Sequence, residues 1–220
     1  MLQHFSELID KVKAMPRTVV CVANADSETV EAARMALDEG LADVILYGDE
    51  AVVRPLVGQA GIEGRVELRH AADPATALRE AVRSVRCGES GVLMKGMLNS
   101  SDFLRGVLNK EEGLRTGRRL SHIAAVELPG HHKLIYSTDG GMNINPDLAA
   151  KKDILANALL ALRSWGYECP KVACLAANER VDPHNPATID AAGLVEAWER
   201  GEFPTQCIVE GPIAMDVALN

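Results

Sequence analysis

Aromatic residues make up only 4% of the 220-residue chain: two Trp, three Tyr and three Phe. A surface that stacks successive bases needs more of them. Positive charge is also in deficit. Lys and Arg total 23 against 31 Asp and Glu, a formal net charge of −8, whereas a nucleic-acid binder carries a basic face. These two shortages argue against a nucleic-acid partner, but they leave room for a local cationic site that holds a small anion. No uninterrupted apolar run reaches the ~18 residues that suggest a membrane span. The start, Met1-Leu2-Gln3-His4-Phe5-Ser6-Glu7, lacks the basic-then-apolar order of a secretory signal. No membrane partner is expected. Cysteine is sparse and odd in number: Cys21, Cys87, Cys169, Cys174 and Cys207, with no Cys-x-x-Cys pair. Cys21, Cys174 and Cys207 stand in apolar strand-like runs, where a reduced cysteine behaves as a small core residue. The set predicts a reducing cytoplasm and no metal site. No Gly-x-Gly-x-x-Gly follows a strand, and neither a Walker-type loop nor a Gly-x-Ser-x-Gly elbow occurs.

What is present is an ordinary globular mixture, 47% apolar and 25% charged. The length suits one large domain or two small ones. Residues 18–23 form a continuous β-branched run, the pattern of a strand covered on both faces. Asp26 or Ser27 then offers an N-cap for a helix that Gly40 stops. Further strands are expected at 43–47, 65–69 and 91–95, with helices at 50–59 and 74–87. This alternation predicts an α/β fold with a parallel sheet and right-handed crossovers.

After about residue 117 the pattern changes. Two strands, 121–128 and 133–137, are expected around Pro129-Gly130-His131-His132, with the two histidines in an exposed tip. A long helix is expected from Asp147 to Trp165, then a strand at 171–176, a helix at 187–200 and a strand at 206–209. Glu210-Gly211-Pro212 reads as the exit turn of that strand. Residues 213–219 begin a helix-like pattern with no cap at Asn220, which suggests a chain cut short at its C-terminus. The reading is two α/β domains with a boundary near 110–120: a first over 1–116 and a second, incomplete one over 117–220.

Three places carry chemistry. Met94-Lys95-Gly96 ends a strand, where ligands of open α/β sheets gather; its ordinary alternative is a solvated strand-end lysine. Five cations, Arg105, Lys110, Arg115, Arg118 and Arg119, fall within fifteen positions. Arginine forks suit phosphate, but a solvated helix and loop face accounts for most of these residues, and only Arg105 is singled out. Residues 137–147, Ser-Thr-Asp-Gly-Gly-Met-Asn-Ile-Asn-Pro-Asp, connect a strand to the long helix. Their amides and the helix start suit an anion, although Asx-turns and caps explain about half of the polar residues.

Several stretches together resemble the phosphate acetyl/butyryl transferases, and are closest to the butyryl-transferring members. They are Leu120-Ser121-His122, Thr138 to Leu148, Lys151-Lys152, Pro170 to Ala173, Pro186 to Ala192 and Glu210 to Asp216. The resemblance covers nearly the whole chain. It implies two α/β/α domains with a cleft between them, an isocitrate dehydrogenase-like arrangement. It implies transfer of a short acyl group between acyl phosphate and coenzyme A, in a homo-oligomer, with coenzyme A as a substrate and no permanently bound cofactor. Acyl phosphate, acyl-CoA and phosphate are the implied small-molecule partners. On resemblance and chemistry together, Lys95 and Arg105 are expected on the phosphate side, while Ser121, Asp139, Asn143 and Asn145 line or shape the site. Asp139 is as suited to orienting the loop as to acid–base work. The family's Ser-Arg-x-Asp signature, implied to contact coenzyme A and activate its thiol, has no equivalent here, so the catalytic residues are expected beyond Asn220. A metal- and NAD-dependent dehydrogenase and an inactive ligand-binding fragment are the alternatives.

Overall fold

The computed structural model describes residues 2–219. They form two compact units: Ser6–Gly117, and a second in which the residues up to Phe5 join those from Arg118 onward.

The first elements are α1 (Phe5–Lys13), β1 (Thr18–Ala23), α2 (Ser27–Asp38), β2 (Ala42–Gly48), α3 (Glu50–Gln59), β3 (Glu67–His70), α4 (Pro74–Arg86), β4 (Val92–Lys95) and α5 (Ser100–Val107). The four strands form one parallel sheet in the order β3-β2-β1-β4. Both sheet faces are covered, as strands with continuous apolar runs require. Cys21, Ala23, Ile45 and Tyr47 pack with Ala77, Leu78, Ala81 and Val82 of α4. Alternate residues Val22, Val44 and Leu46 pack with Val30 and Ala33 of α2 and Val53 and Val57 of α3. Asp26 caps α2 in a reciprocal box with Thr29, each side chain accepting from the other's backbone N–H at 2.9 Å.

The chain steps outward from β1 through β2 to β3, then returns to place β4 on the other side of β1. Ligand sites of open sheets lie beyond the strand C-termini at such a reversal. Asn24 follows β1 with φ 59°, and its side-chain Nδ2 donates to Met97 O at 2.7 Å. A Cβ on Gly96, just past β4, would stand 2.1 Å from Asn24 O. Only glycine lets these two strand exits come so close.

The second unit holds β5 (Ala124–Val126), β6 (Ile135–Ser137), α6 (Leu148–Ser164), β7 (Lys171–Leu175), α7 (Pro186–Glu199), β8 (Ile208–Ile213) and α8 (Met215–Ala218). Its core joins Leu155 and Leu159 of α6, Ala191 and Leu194 of α7, and Cys174, Cys207 and Val209 along the parallel pair β7-β8. Burial pushes the Cys174 thiol up to about 11, so it packs rather than reacts. The N-terminal residues are tied in by long-range bonds. Leu2 N donates to the Tyr167 hydroxyl at 3.2 Å, Leu134 N to Leu2 O at 3.1 Å, and Phe5 N to Glu127 Oε2 at 2.8 Å.

The second unit departs from expectation in three places. The strands expected at 121–128 and 133–137 shrink to three residues each, antiparallel, with Ala124 opposite Ser137 and Val126 opposite Ile135. Residues 121–123 leave the ladder because side chains claim their polar groups, as described below. The last strand does not stop at 209. Glu210-Gly211-Pro212 lies inside β8, not in an exit turn. Ala173 pairs with Glu210 and Leu175 with Ile213, so β8 carries one extra residue there, a bulge that accommodates proline's missing N–H. The helix expected over 213–219 is the short α8 alone. The uncapped end expected at Asn220 lies outside the described residues.

Candidate active site

Residues 138–147 link β6 to α6, and Asp139 organises them. Its Oδ1 accepts from Gly141 N at 3.0 Å and Met142 N at 2.8 Å, while its Oδ2 accepts from Asn143 Nδ2 at 2.6 Å and His122 N at 3.4 Å. Burial pushes the Asp139 carboxyl up, but the donors of Asn143, Gly141, Met142 and His122 outweigh it and hold the group below its ordinary value. Asp139 therefore stands as a charged anchor for the loop.

The segment before β5 is bound to the same loop. Thr138 Oγ1 donates to His122 O at 2.6 Å. Asn157 of α6 reaches across with Nδ2, 2.6 Å from Arg119 O and 3.0 Å from Ser121 Oγ. Asn143 completes the frame: its Nδ2 also donates to Leu120 O at 3.0 Å, and its Oδ1 accepts from the Arg119 guanidinium at 3.1 Å. Asn145 follows in the left-handed region, φ 47°, which asparagine tolerates better than most residues.

This frame borders an open cavity of about 370 Å³, lined by Arg119, Asn143, Asn145, Met142, Ile144 and the start of α6. Arg119 is its cation. Asp153 lies 3.8 Å from the Arg119 Nε and Asn143 holds one terminal nitrogen, which leaves further guanidinium donors for a ligand.

Part of the expected anion site is partnered within the chain. The amides of Gly141 and Met142 are already bonded to Asp139, and Ala150 N at the start of α6 is bonded to the Asp147 carboxylate at 2.8 Å. These three amides are therefore already partnered within the chain. Asn143 is likewise spent, with its Nδ2 on Asp139 and Leu120 and its Oδ1 on Arg119, so the Arg119 guanidinium is the group of this frame that keeps donors to spare.

Of the six residues singled out from sequence, Ser121, Asp139, Asn143 and Asn145 share this loop system. Asn143 and Asn145 line the cavity, whereas Ser121 and Asp139 belong to the frame around it. Lys95 and Arg105 belong to the other unit. Lys95 Nζ donates to Leu98 O at 2.9 Å, bracing the turn after β4. Arg105, 77% exposed, pairs with Asp102 at 2.8 Å along α5. Charge pattern alone does not separate Arg119 from Arg105, Lys110, Arg115 and Arg118. The position of Arg119 directly before Leu120-Ser121-His122 was the available signal.

Comparison with known proteins decides the family. Residues 56–220 match the model described as phosphate acetyl/butaryl transferase. A phosphate butyryltransferase of Clostridium acetobutylicum is 39% identical over the whole of this chain and 73% of its own length. The chain belongs to the phosphate acetyl/butyryl transferase family. Membership is consistent across further relatives. A phosphate butyryltransferase of Clostridium beijerinckii is 35% identical over the same shares. The crystal structure of a branched-chain phosphotransacylase from Enterococcus faecalis superposes with a TM-score of 0.80 at 27% identity, over 91% of this chain and 70% of that one. The resemblance seen in Leu120-Ser121-His122 and in 138–148 is thus a family relationship.

Proposed function

We propose that this chain serves a phosphate acyltransferase that moves a short acyl group, butyryl or acetyl, between acyl phosphate and coenzyme A. The observation that carries this reading is the cavity where Arg119 and Asn143 meet on a loop anchored by Asp139, in a chain of this family. In the direction toward the thioester, the coenzyme A thiolate attacks the acyl carbonyl, because the thiol itself is a poor nucleophile. A carbon–sulfur bond forms, the carbon–oxygen bond to phosphorus breaks, and phosphate leaves with the electron pair. Arg119 supplies charge-assisted donors to the phosphoryl oxygens, and Asn143 fixes the guanidinium in place, so little reorganisation is needed as charge shifts onto the leaving phosphate. Lys95 and Arg105 are assigned to the phosphate groups that both substrates carry. Ser121 and Asn145 shape the loop.

We take the two units as the two α/β domains of the isocitrate dehydrogenase-like arrangement that the family implies. The five free cysteines suit a reducing cytoplasm, and a homo-oligomer is the assembly we assign. Coenzyme A is treated as a substrate rather than a resident cofactor. The dehydrogenase alternative drew no support from the comparisons, all of which point to acyl transfer to or from phosphate.

Calorimetric titration separates the readings. Butyryl phosphate and coenzyme A are expected to bind, with inorganic phosphate competing against the former. Binding of NAD with no response to butyryl phosphate would contradict the assignment.

A further inference from the structure

The loop over Met142–Pro146 alternates in chemistry. Asn143 and Asn145 are polar; Met142, Ile144 and Pro146 are apolar, and all five border the same cavity as Arg119. Ile144 is 88% exposed, the highest value for any large apolar side chain among the described residues, and Met142 beside it is 39% exposed. A single exposed isoleucine needs no explanation. Here, however, the backbone around it is held in place. Asp139 fixes the amides of Gly141 and Met142, and Asn143 is bonded to Asp139, Leu120 and Arg119. The residues just before Ile144 are thus pinned, and its exposed side chain stands at the rim of a cavity whose other feature is a guanidinium.

A cation beside a short apolar wall fits a ligand with an anionic head and a small aliphatic tail. An acyl phosphate has that form, and about 370 Å³ gives ample room for a four-carbon chain. We infer that Ile144, with Met142, is the acyl-chain contact of this site and sets its preference for butyryl over acetyl groups. The inference rests on the reading of the Arg119 cavity as the phosphoryl site. With the phosphoryl group on Arg119, which Asn143 holds in place, the alternation places the neighbouring apolar side chains along the tail. In an enclosed pocket each methylene is worth at least about tenfold in discrimination; butyryl exceeds acetyl by two, and a contact as open as Ile144 gives less per methylene, about tenfold for the pair.

The test titrates the whole chain with butyryl phosphate, acetyl phosphate and inorganic phosphate in turn, for the unaltered protein, Ile144→Ala and Ile144→Leu. Because Ile144 is exposed, thermal melts of the three should coincide. The unaltered protein is expected to bind butyryl phosphate about tenfold more tightly than acetyl phosphate. In Ile144→Ala that ratio should fall to near one, with inorganic phosphate binding unmoved, and Ile144→Leu should restore most of it. An equal affinity for the two acyl phosphates in the unaltered protein, or a ratio that survives Ile144→Ala, overturns the role of Ile144 while leaving the phosphoryl site standing. Failure of all three anions to bind overturns the phosphoryl site and, with it, the acyl contact.

Discussion

Asn143 Nδ2 stands 2.6 Å from Asp139 Oδ2, while Asn143 Oδ1 accepts from Arg119 at 3.1 Å. One amide side chain therefore couples a loop anchor to the cation of the site. Replacing Asp139 by Asn leaves a single oxygen where four donors converged, and places an amide nitrogen against donors of the same kind. A hydrogen bond to a charged group is worth about 1.5–3 kcal/mol, and the part-buried Asn143 Nδ2 loses such a bond. Asp139→Asn is expected to weaken phosphate binding about tenfold or more, with Arg119 itself intact. Calorimetry on the variant reads this directly.

The same carboxylate gives a pH dependence of fixed sign. Its folded-state value lies below the ordinary one of about 3.9, so its contribution to stability is present above that pH and is lost as pH falls through the lower folded-state value. Glu89 behaves alike in the first unit. The Arg69 guanidinium at 2.5 Å and the Ser84 hydroxyl at 2.9 Å hold it down to about 2. Stability should therefore decline between about pH 4.5 and pH 2. Glu89→Gln should show a shallower decline across that window in denaturant titrations, since it has no proton to take up.

Gly96 supports the other candidate region. A Cβ there would meet Asn24 O at 2.1 Å and Ala23 O at 2.8 Å, both backbone atoms that no rotamer change can move. Gly96→Ala is expected to cost about 1–3 kcal/mol, the usual range for overpacking, and to displace the Lys95 turn. An unfolding curve set beside that of an exposed control such as Gly64→Ala, where no atom lies within 4 Å but φ is +73°, would separate the clash from left-handed strain.

The parallel sheet was legible because its signals are local. β-branched runs at 18–23, aspartates at helix starts and glycines at helix ends each act within a few residues. The polar connection at 137–147 stood out for the same reason. Long-range bonds were not visible. Nothing in Leu2 to Phe5 announces that they pair with Leu134, Tyr167 and Glu127, and nothing in Ser121-His122 shows that Asn157 and Thr138 will take them out of a strand. Proline misled at 212, because it reads as a break while a bulge in a two-stranded sheet absorbs it. Arg119 was hidden among equivalent cations, since charge alone does not show which one an asparagine will hold in place.

The central claim is that Arg119 forms the phosphoryl end of an acyl-transfer site, and one measurement addresses it most directly. Inorganic phosphate is titrated into the unaltered protein, Arg119→Ala and Arg119→Lys, with butyryl phosphate as competitor. Loss of a charge-assisted bond is worth about 1.5–3 kcal/mol, so Arg119→Ala should weaken phosphate binding roughly ten- to a hundredfold. Arg119→Lys should recover little of this, because a point ammonium cannot both accept the positioning of Asn143 and offer a planar fork. Phosphate affinity that is the same in all three proteins would contradict the account.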